Sequence, residues 1–140
     1  MCLDLTSKSR LCIATKDITV YKHVIQIEPN KFVTTYRKQS GKIGKLYRSR
    51  MIMGTDTVEK AIHSYTNKRY AVLDIQDEYC RSRRDVCMVL MKCIIPKGAK
   101  YIKGKYFIYP TAIASNKLKY VEVLATYNYD YTKSKVTKLP

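Results

Sequence analysis

The stretch that most constrains this chain is residues 86–95, VCMVLMKCII, an apolar run broken only by Lys92. It falls well short of the ~20 apolar residues that a membrane-crossing helix needs. Its near-continuous apolar character predicts a strand buried on both faces, ended by a Pro96-Lys97-Gly98 turn. Other segments read as its companions. Residues 18–27 (ITVYKHVIQI) are β-branched and aromatic and stop at Pro29, a second strand. Residues 32–36 and 46–53 are expected as two more, joined by a Gly-containing turn at 39–44. Alternation along 46–53 would put Leu46, Arg48 and Arg50 on one face, with Tyr47, Ser49 and Met51 on the other.

Thr66 reads as an N-cap opening a helix through Tyr70, Leu73 and Asp77, which ends among the cations of 81–84, where they suit the negative end of the helix dipole. Residues 99–103 and 105–109 are expected as short strands. Residues 117–124 (KLKYVEVL) alternate well, and Leu118, Tyr120 and the stretch from Val121 to Leu124 are expected inward. From 125 onward periodicity fades and Lys, Thr and Tyr accumulate. The expected class is therefore α+β, a sheet-dominated single domain with one principal helix. A lead-in over 1–15 precedes the domain at 16–125, and a basic, mobile tail follows over 126–140.

At 140 residues and 46% hydrophobic content, the chain can bury one core and is not disordered by composition. Residues 1–5 lack the basic start and apolar stretch of a signal peptide, so a cytoplasmic location is expected. The five cysteines (Cys2, Cys12, Cys80, Cys87, Cys93) are odd in number and contain no Cys-x-x-Cys pair. A disulfide framework and a zinc site are both disfavoured, and Cys87 and Cys93 read as core residues. Cys80 lies near Arg81, Arg83 and Arg84, cations that lower a thiol pKa, with no general base beside it.

Charge is the strongest functional signal, at +16 net. Residues 29–55 carry seven cations (Lys31, Arg37, Lys38, Lys42, Lys45, Arg48, Arg50) and no acid. Residues 91–140 carry ten against Glu122 and Asp130, whereas 56–85 nearly balance. Two acid-poor segments point to an anion-facing surface. Thirteen tyrosines, many beside a Lys or Arg, suit stacking on bases as well as half-buried strands.

Catalytic patterns are largely missing. His23 and His63 are the only histidines, which disfavours a histidine metal site. His63 and Ser64 are neighbours, but adjacent strand residues face opposite ways, and no third group completes a triad. Residues 40–46 (SGKIGKL) fail as a Walker A loop, because the glycines are too close and Leu46 stands where a hydroxyl is needed. Gly41-Lys42-Ile43-Gly44 matches the Gly-x-x-Gly clamp of KH domains, but its flanks read as strands, so a hairpin turn is preferred. Its backbone amides and lysines are still able to meet a phosphate. No catalytic residue, metal or cofactor is expected.

Three stretches together, DITVYKH (17–23), HSYT (63–66) and KCIIPKGAKY with ASNKLKYVE (92–101 and 114–122), resemble a group of small proteins of gut Bacteroidetes and their phages. That likeness spans roughly 17–124 and implies no activity. A strand with Tyr-Lys, then His-Ser-x-Thr before a helix, then an apolar strand ending Pro-x-Gly-Ala, is also similar to the ADP-ribosyltransferase fold. There Ser64-Tyr65-Thr66 would be a degenerate counterpart of the NAD-binding Ser-Thr-Ser. No Glu stands in 109–117, where the family's catalytic acid would fall.

The resemblance implies a cleft gathering Tyr21, Lys22, Arg37, Lys42, Lys45, Tyr47, Arg48, Arg50, His63, Ser64 and Thr66. The arginines would grip phosphate, and Tyr21 or Tyr47 would stack on a base. The expected function is non-catalytic binding of an anionic nucleotide or oligonucleotide, without membrane contact and with homo-oligomerisation left open. Phage relatives imply a sponge for a host cyclic-nucleotide immune signal, working in the host cytoplasm. The alternatives are a DNA- or RNA-binding accessory protein and an ADP-ribosyltransferase-like enzyme.

Overall fold

The computed structural model describes residues 3–35, 39–81, 86–106 and 109–140, with side chains at all of these except 78–81 and 110. Cys2, Arg37, Arg83 and Arg84, and the Cys80 side chain, therefore lie outside the described residues. In chain order the strands are β1 (Leu3–Asp4), β2 (Cys12–Ile13), β3 (Ile18–Glu28), β4 (Lys31–Val33), β5 (Ser40–Gly41), β6 (Leu46–Arg48), β7 (Ile52–Met53), β8 (Thr57–Lys60) and β9 (Ile62–Tyr65). Helix α1 (Lys68–Arg81) follows, then β10 (Cys87–Ile95), β11 (Lys100–Tyr106), β12 (Tyr109–Ser115), β13 (Lys117–Asp130) and β14 (Lys135–Lys138). The described residues are thus sheet-dominated with one helix, and no described helix is long and apolar enough to cross a membrane.

The apolar run becomes β10, flanked antiparallel by β3 and β13. Both of its faces are covered. Met88 and Leu90 join a core with Ile25, Tyr65, Ala71 and Ile75 on the helix side. Val89, Met91, Cys93 and Ile95 join a second core with Val20, Val24, Phe32, Leu118 and Tyr120 on the other. The sheet runs β14-β13-β10-β3-β9-β12-β11-β1-β8-β7, with β4 added to β3, β5 to β4, β6 to β13 and β2 to β11.

A thin seam lies between β3 and β9, which share a single register pair, Tyr21 with Tyr65. Beyond that pair the strands part. Helix α1 lies across this region, packing on β3, β9 and β10. Its cap is Asn67, one residue later than expected: Asn67 Oδ1 accepts from the Arg69 amide at 2.9 Å. Its buried stripe is Ala71, Asp74 and Ile75, not Tyr70, Leu73 and Asp77.

Several expected boundaries shift. The strand expected at 46–53 is two strands with different partners, since β6 pairs with β13 and β7 with β8. The break at Gly104 is absent, because β11 runs through it. A Cβ there would sit 2.3 Å from the Asp4 carbonyl oxygen, so glycine admits the close approach of β1. Leu3, expected in a lead-in, is fully buried. The boundary expected at 125 falls inside β13, and the segment expected as a tail carries the β13–β14 hairpin.

Candidate functional site

Where β3 and β9 separate, a partly open cavity of about 80 Å³ forms. Its walls come from β3 (Lys22), β9 (His63, Ser64), the loop between β4 and β5 (Thr34, Thr35), and the rings of Tyr47 and Tyr120. The Lys22 ammonium donates to the His63 carbonyl oxygen at 2.6 Å, across the opened seam. Lys22 keeps some solvent-accessible surface, yet protein surrounds its ammonium. Burial lowers its pKa from the ordinary 10.5, partly countered by Cys93 and Asp74.

Ser64 is 2% exposed, and its Oγ has no hydrogen-bond partner among the described residues. A buried hydroxyl in that state costs free energy unless something else satisfies it. Ser64 and its register partner Ile113 face the side where Ile62, Val20 and Tyr120 form the second core. Lys22 follows Val20 by two residues on β3, so alternation places it on that same face. The sequence brings the ammonium and the hydroxyl together through strand parity.

On the helix side, Asp74 is fully buried. Its Oδ2 accepts from His23 Nε2 at 2.6 Å and from the Tyr65 hydroxyl at 3.0 Å. Burial first, and the Asp74 carboxylate second, push the Tyr65 hydroxyl pKa far up. The other ring nitrogen of His23, Nδ1, is buried with no hydrogen-bond partner among the described residues. This His23–Asp74–Tyr65 network carried no sequence signal, since three separate segments meet to make it. Cys93 lies beneath Lys22, and burial raises its thiol to about 12 although Lys22 pulls it down. That thiol is inert at neutral pH.

The expected site residues sort into three groups. Lys22, Tyr47, His63 and Ser64 line the cavity together. Lys42 and Lys45 sit exposed on the turn above, with Lys45 Nζ 5.8 Å from the Tyr47 ring centroid. Tyr21, Thr66, Arg48 and Arg50 do not line it. Tyr21 packs against the helix-side core, and the Thr66 hydroxyl donates to Thr111 O. Arg48 is exposed opposite Lys117, and Arg50 is exposed outside any strand, so the two do not share a strand face. Arg37 lies outside the described residues.

The amides expected to cradle phosphate at 42–44 are already committed. Lys42 N donates to the Tyr47 hydroxyl, Ile43 N to Asn30 Oδ1 at 2.8 Å, and Gly44 N to Tyr120 O at 2.9 Å. Gly41 belongs to packing as well, because a Cβ there would fall 2.5 Å from Tyr120 Cε2. The Gly-x-x-Gly turn is a lid docked on Tyr120 and not an open clamp. Tyr120 itself was legible as an inward residue, but its place beside Tyr47, with ring centroids 5.1 Å apart, was not. No protein-family profile, curated protein or solved structure matches this chain.

Proposed function

We propose that this is a non-catalytic binding protein for a nucleotide or short oligonucleotide, whose phosphate sits at the base of the cavity between β3 and β9. The observation that carries this reading is the meeting of a cation and an unsatisfied donor in one cavity. Lys22 has spent one of its three N–H groups on His63 O, and Ser64 Oγ has no partner among the described residues. Together they offer three donors to an anion that would satisfy the hydroxyl and favour the charged amine. Tyr47 at the wall, with Lys45 beside it, supplies a ring for a base.

The finer reading follows the resemblance and remains part of this proposal. The chain would be a phage-type sponge that sequesters a host cyclic nucleotide in the host cytoplasm, on an α+β scaffold of ADP-ribosyltransferase-like plan. The absence of any Asp or Glu between Tyr106 and Lys119 supports binding without NAD chemistry.

The test is calorimetric titration of mono-, di- and cyclic nucleotides and short oligonucleotides, beside native mass spectrometry of freshly purified protein. Ser64→Ala and Lys22→Met should each weaken binding by about 2–4 kcal/mol, as for loss of a charge-assisted contact in a desolvated site. Arg48→Ala and the Lys133→Glu/Lys135→Glu pair should cost well under ~1 kcal/mol. Equal losses in all variants, with binding only to long nucleic acid and a salt slope of several ions, would replace the cavity reading with the nucleic-acid one. Nicotinamide release from NAD would replace it with the enzyme.

A further inference from the structure

We infer that the cavity between β3 and β9 selects a phosphate carrying a single negative charge, a phosphodiester, over the dianion of a phosphate monoester. This rests on the binding reading above and names the ligand class that the same site takes.

The argument is a count of charges and donors. Among the described residues lining the cavity, Lys22 is the one lysine or arginine. The buried phenols and thiol around it add no positive charge. Tyr65 and Tyr120 are held as neutral phenols by burial, and Cys93 as a neutral thiol. Behind them stands the Asp74 carboxylate, paired with His23 through Nε2 and felt electrostatically by Lys22. The His23–Asp74 pair contributes zero charge if the imidazole is protonated and one negative charge if it is not. His63 also lines the cavity, and its contribution to Lys22 is through the carbonyl oxygen. Lys22 and the His23–Asp74 pair therefore sum to at most one positive charge, carried by an ammonium whose burial already disfavours it.

A phosphodiester comes closer to that sum than a dianion does. A dianion leaves at least one negative charge uncompensated near Asp74, and desolvating an ion costs in proportion to the square of its charge. The donors agree with the charges. Two free N–H groups on Lys22 and one hydroxyl on Ser64 suit the two non-bridging oxygens of a diester, whereas a monoester presents three oxygens with more lone pairs to satisfy. Lys45 stands at the mouth, but it is exposed, and water and salt screen its charge from the base of the cavity.

The second ionisation of a phosphate monoester has a pKa of ~6, so pH converts the disfavoured ligand into the favoured one. The probes are the 5′-phosphates of the four common nucleosides and the methyl esters of those phosphates, titrated by calorimetry at pH 8 and pH 5. Within each nucleoside the base and sugar are constant and only the phosphate charge changes. At pH 8 the methyl ester should bind at least ~10-fold more tightly. At pH 5 the ratio should shrink to within ~3-fold. Any change in the protein itself with pH affects both ligands, and the methyl ester, whose own charge is constant, reads that contribution directly.

Ser64→Ala and Lys22→Met separate the two levels of the argument. If both variants abolish binding but the monoester equals or exceeds the diester at pH 8, the charge selection is wrong and the cavity reading stands. If neither ester binds, or binding survives both variants, the cavity reading fails and the selection falls with it.

Discussion

Lys22 Nζ and the carbonyl oxygen of His63 lie 2.6 Å apart, joining β3 to β9 just where their backbone pairing has stopped. A side chain here does what ladder hydrogen bonds do elsewhere in the sheet, and it does so with a charge that burial penalises. The first prediction follows from that penalty. Because the folded-state pKa of Lys22 lies below 10.5, the folded protein holds fewer protons than the unfolded chain between the two values, so stability rises with pH across that window. Below the window both states are charged and the whole penalty is present. Lys22→Met should therefore be more stable than the parent at pH 7, with a Tm higher by about 3 °C, and the gap should close towards pH 10. Thermal melts at pH 7 and pH 10 check this. A methionine variant less stable at both pH values would show that the bridge to His63 outweighs the desolvation.

Asp74 is the opposite case, a charge whose removal should be costly. It accepts from both His23 and Tyr65 at the centre of the α1 interface. Asp74→Ala strips two buried donors of their acceptor and should lower unfolding free energy by about 3–5 kcal/mol, whereas Asp74→Asn, which keeps one acceptor oxygen, should cost less. Urea denaturation of both variants measures the difference. Equal and small losses would mean the network is replaceable.

Asp74 also explains part of what the sequence concealed. A helix whose core-facing stripe is centred on a carboxylate looks poorly amphipathic, so Tyr70, Leu73 and Asp77 stood out in place of Ala71, Asp74 and Ile75. β10 and β3 were legible because a near-continuous apolar run and a β-branched run each dictate a strand without reference to partners. β13 was legible only up to its bulges. Its pairing with β10 slips between Leu90 and Met91 and again between Lys92 and Cys93, leaving Val121 and Leu124 without opposite numbers. Each slip inverts the inward alternation, so periodicity seemed to end where the strand in fact continues to Asp130, and Leu124, expected inward, is 39% exposed. Lys22, Tyr47, His63 and Ser64 were expected in one cleft through the resemblance. That they share a cavity while Arg48 and Arg50 do not depends on which strand pairs with which, and local pattern does not encode that.

The two glycines of the 41–44 turn should respond to alanine for different reasons. At Gly41 a Cβ meets Tyr120 Cε2 at 2.5 Å, so Gly41→Ala displaces either the turn or a cavity wall. Gly44 has φ of +88° and open space around its Cβ, so Gly44→Ala carries only the conformational strain, about 1 kcal/mol. Gly41→Ala should cost about 1–3 kcal/mol and reduce nucleotide affinity as well. Gly44→Ala should leave affinity nearly intact. Paired melts and titrations distinguish steric from backbone effects, and affinity lost equally in both would contradict the docked-lid geometry.

Cys93 offers a chemical check on the core beneath Lys22. With its thiol pushed up to about 12, only about one part in 10⁴ is thiolate at pH 8. Iodoacetamide should leave Cys93 unmodified in native protein and label it fully in urea, as read by peptide mass spectrometry. Cys93→Ser should lower stability by about 1–3 kcal/mol through a buried hydroxyl short of partners. Fast native labelling would mean that the second core opens at Cys93.

The final prediction concerns the C-terminal hairpin. β14 pairs with β13 from Tyr127 opposite Lys138 to Asp130 opposite Lys135, and Leu139 N donates to Thr126 O at 2.8 Å. The turn is set by Asp130, whose Oδ1 accepts from the Thr132 amide at 2.9 Å and from its hydroxyl at 2.6 Å, and by Ser134 in the left-handed region at φ 50°. Val136 packs against the helix-side core, and Tyr127 is nearly buried. Removing residues 132–140 uncovers that surface and should lower unfolding free energy by about 2 kcal/mol on the area of one aliphatic side chain and part of a ring. Charge reversal at Lys133 and Lys135, both exposed, leaves the strand in place and should change stability by less than about 0.5 kcal/mol. Hydrogen exchange separates a paired strand from a loose tail, because the Leu139 amide should be protected in the full-length chain. If that amide exchanges at the rate of an open peptide and truncation costs nothing, β14 is not holding the sheet edge, and the cations of 133–138 belong to a solvated arm.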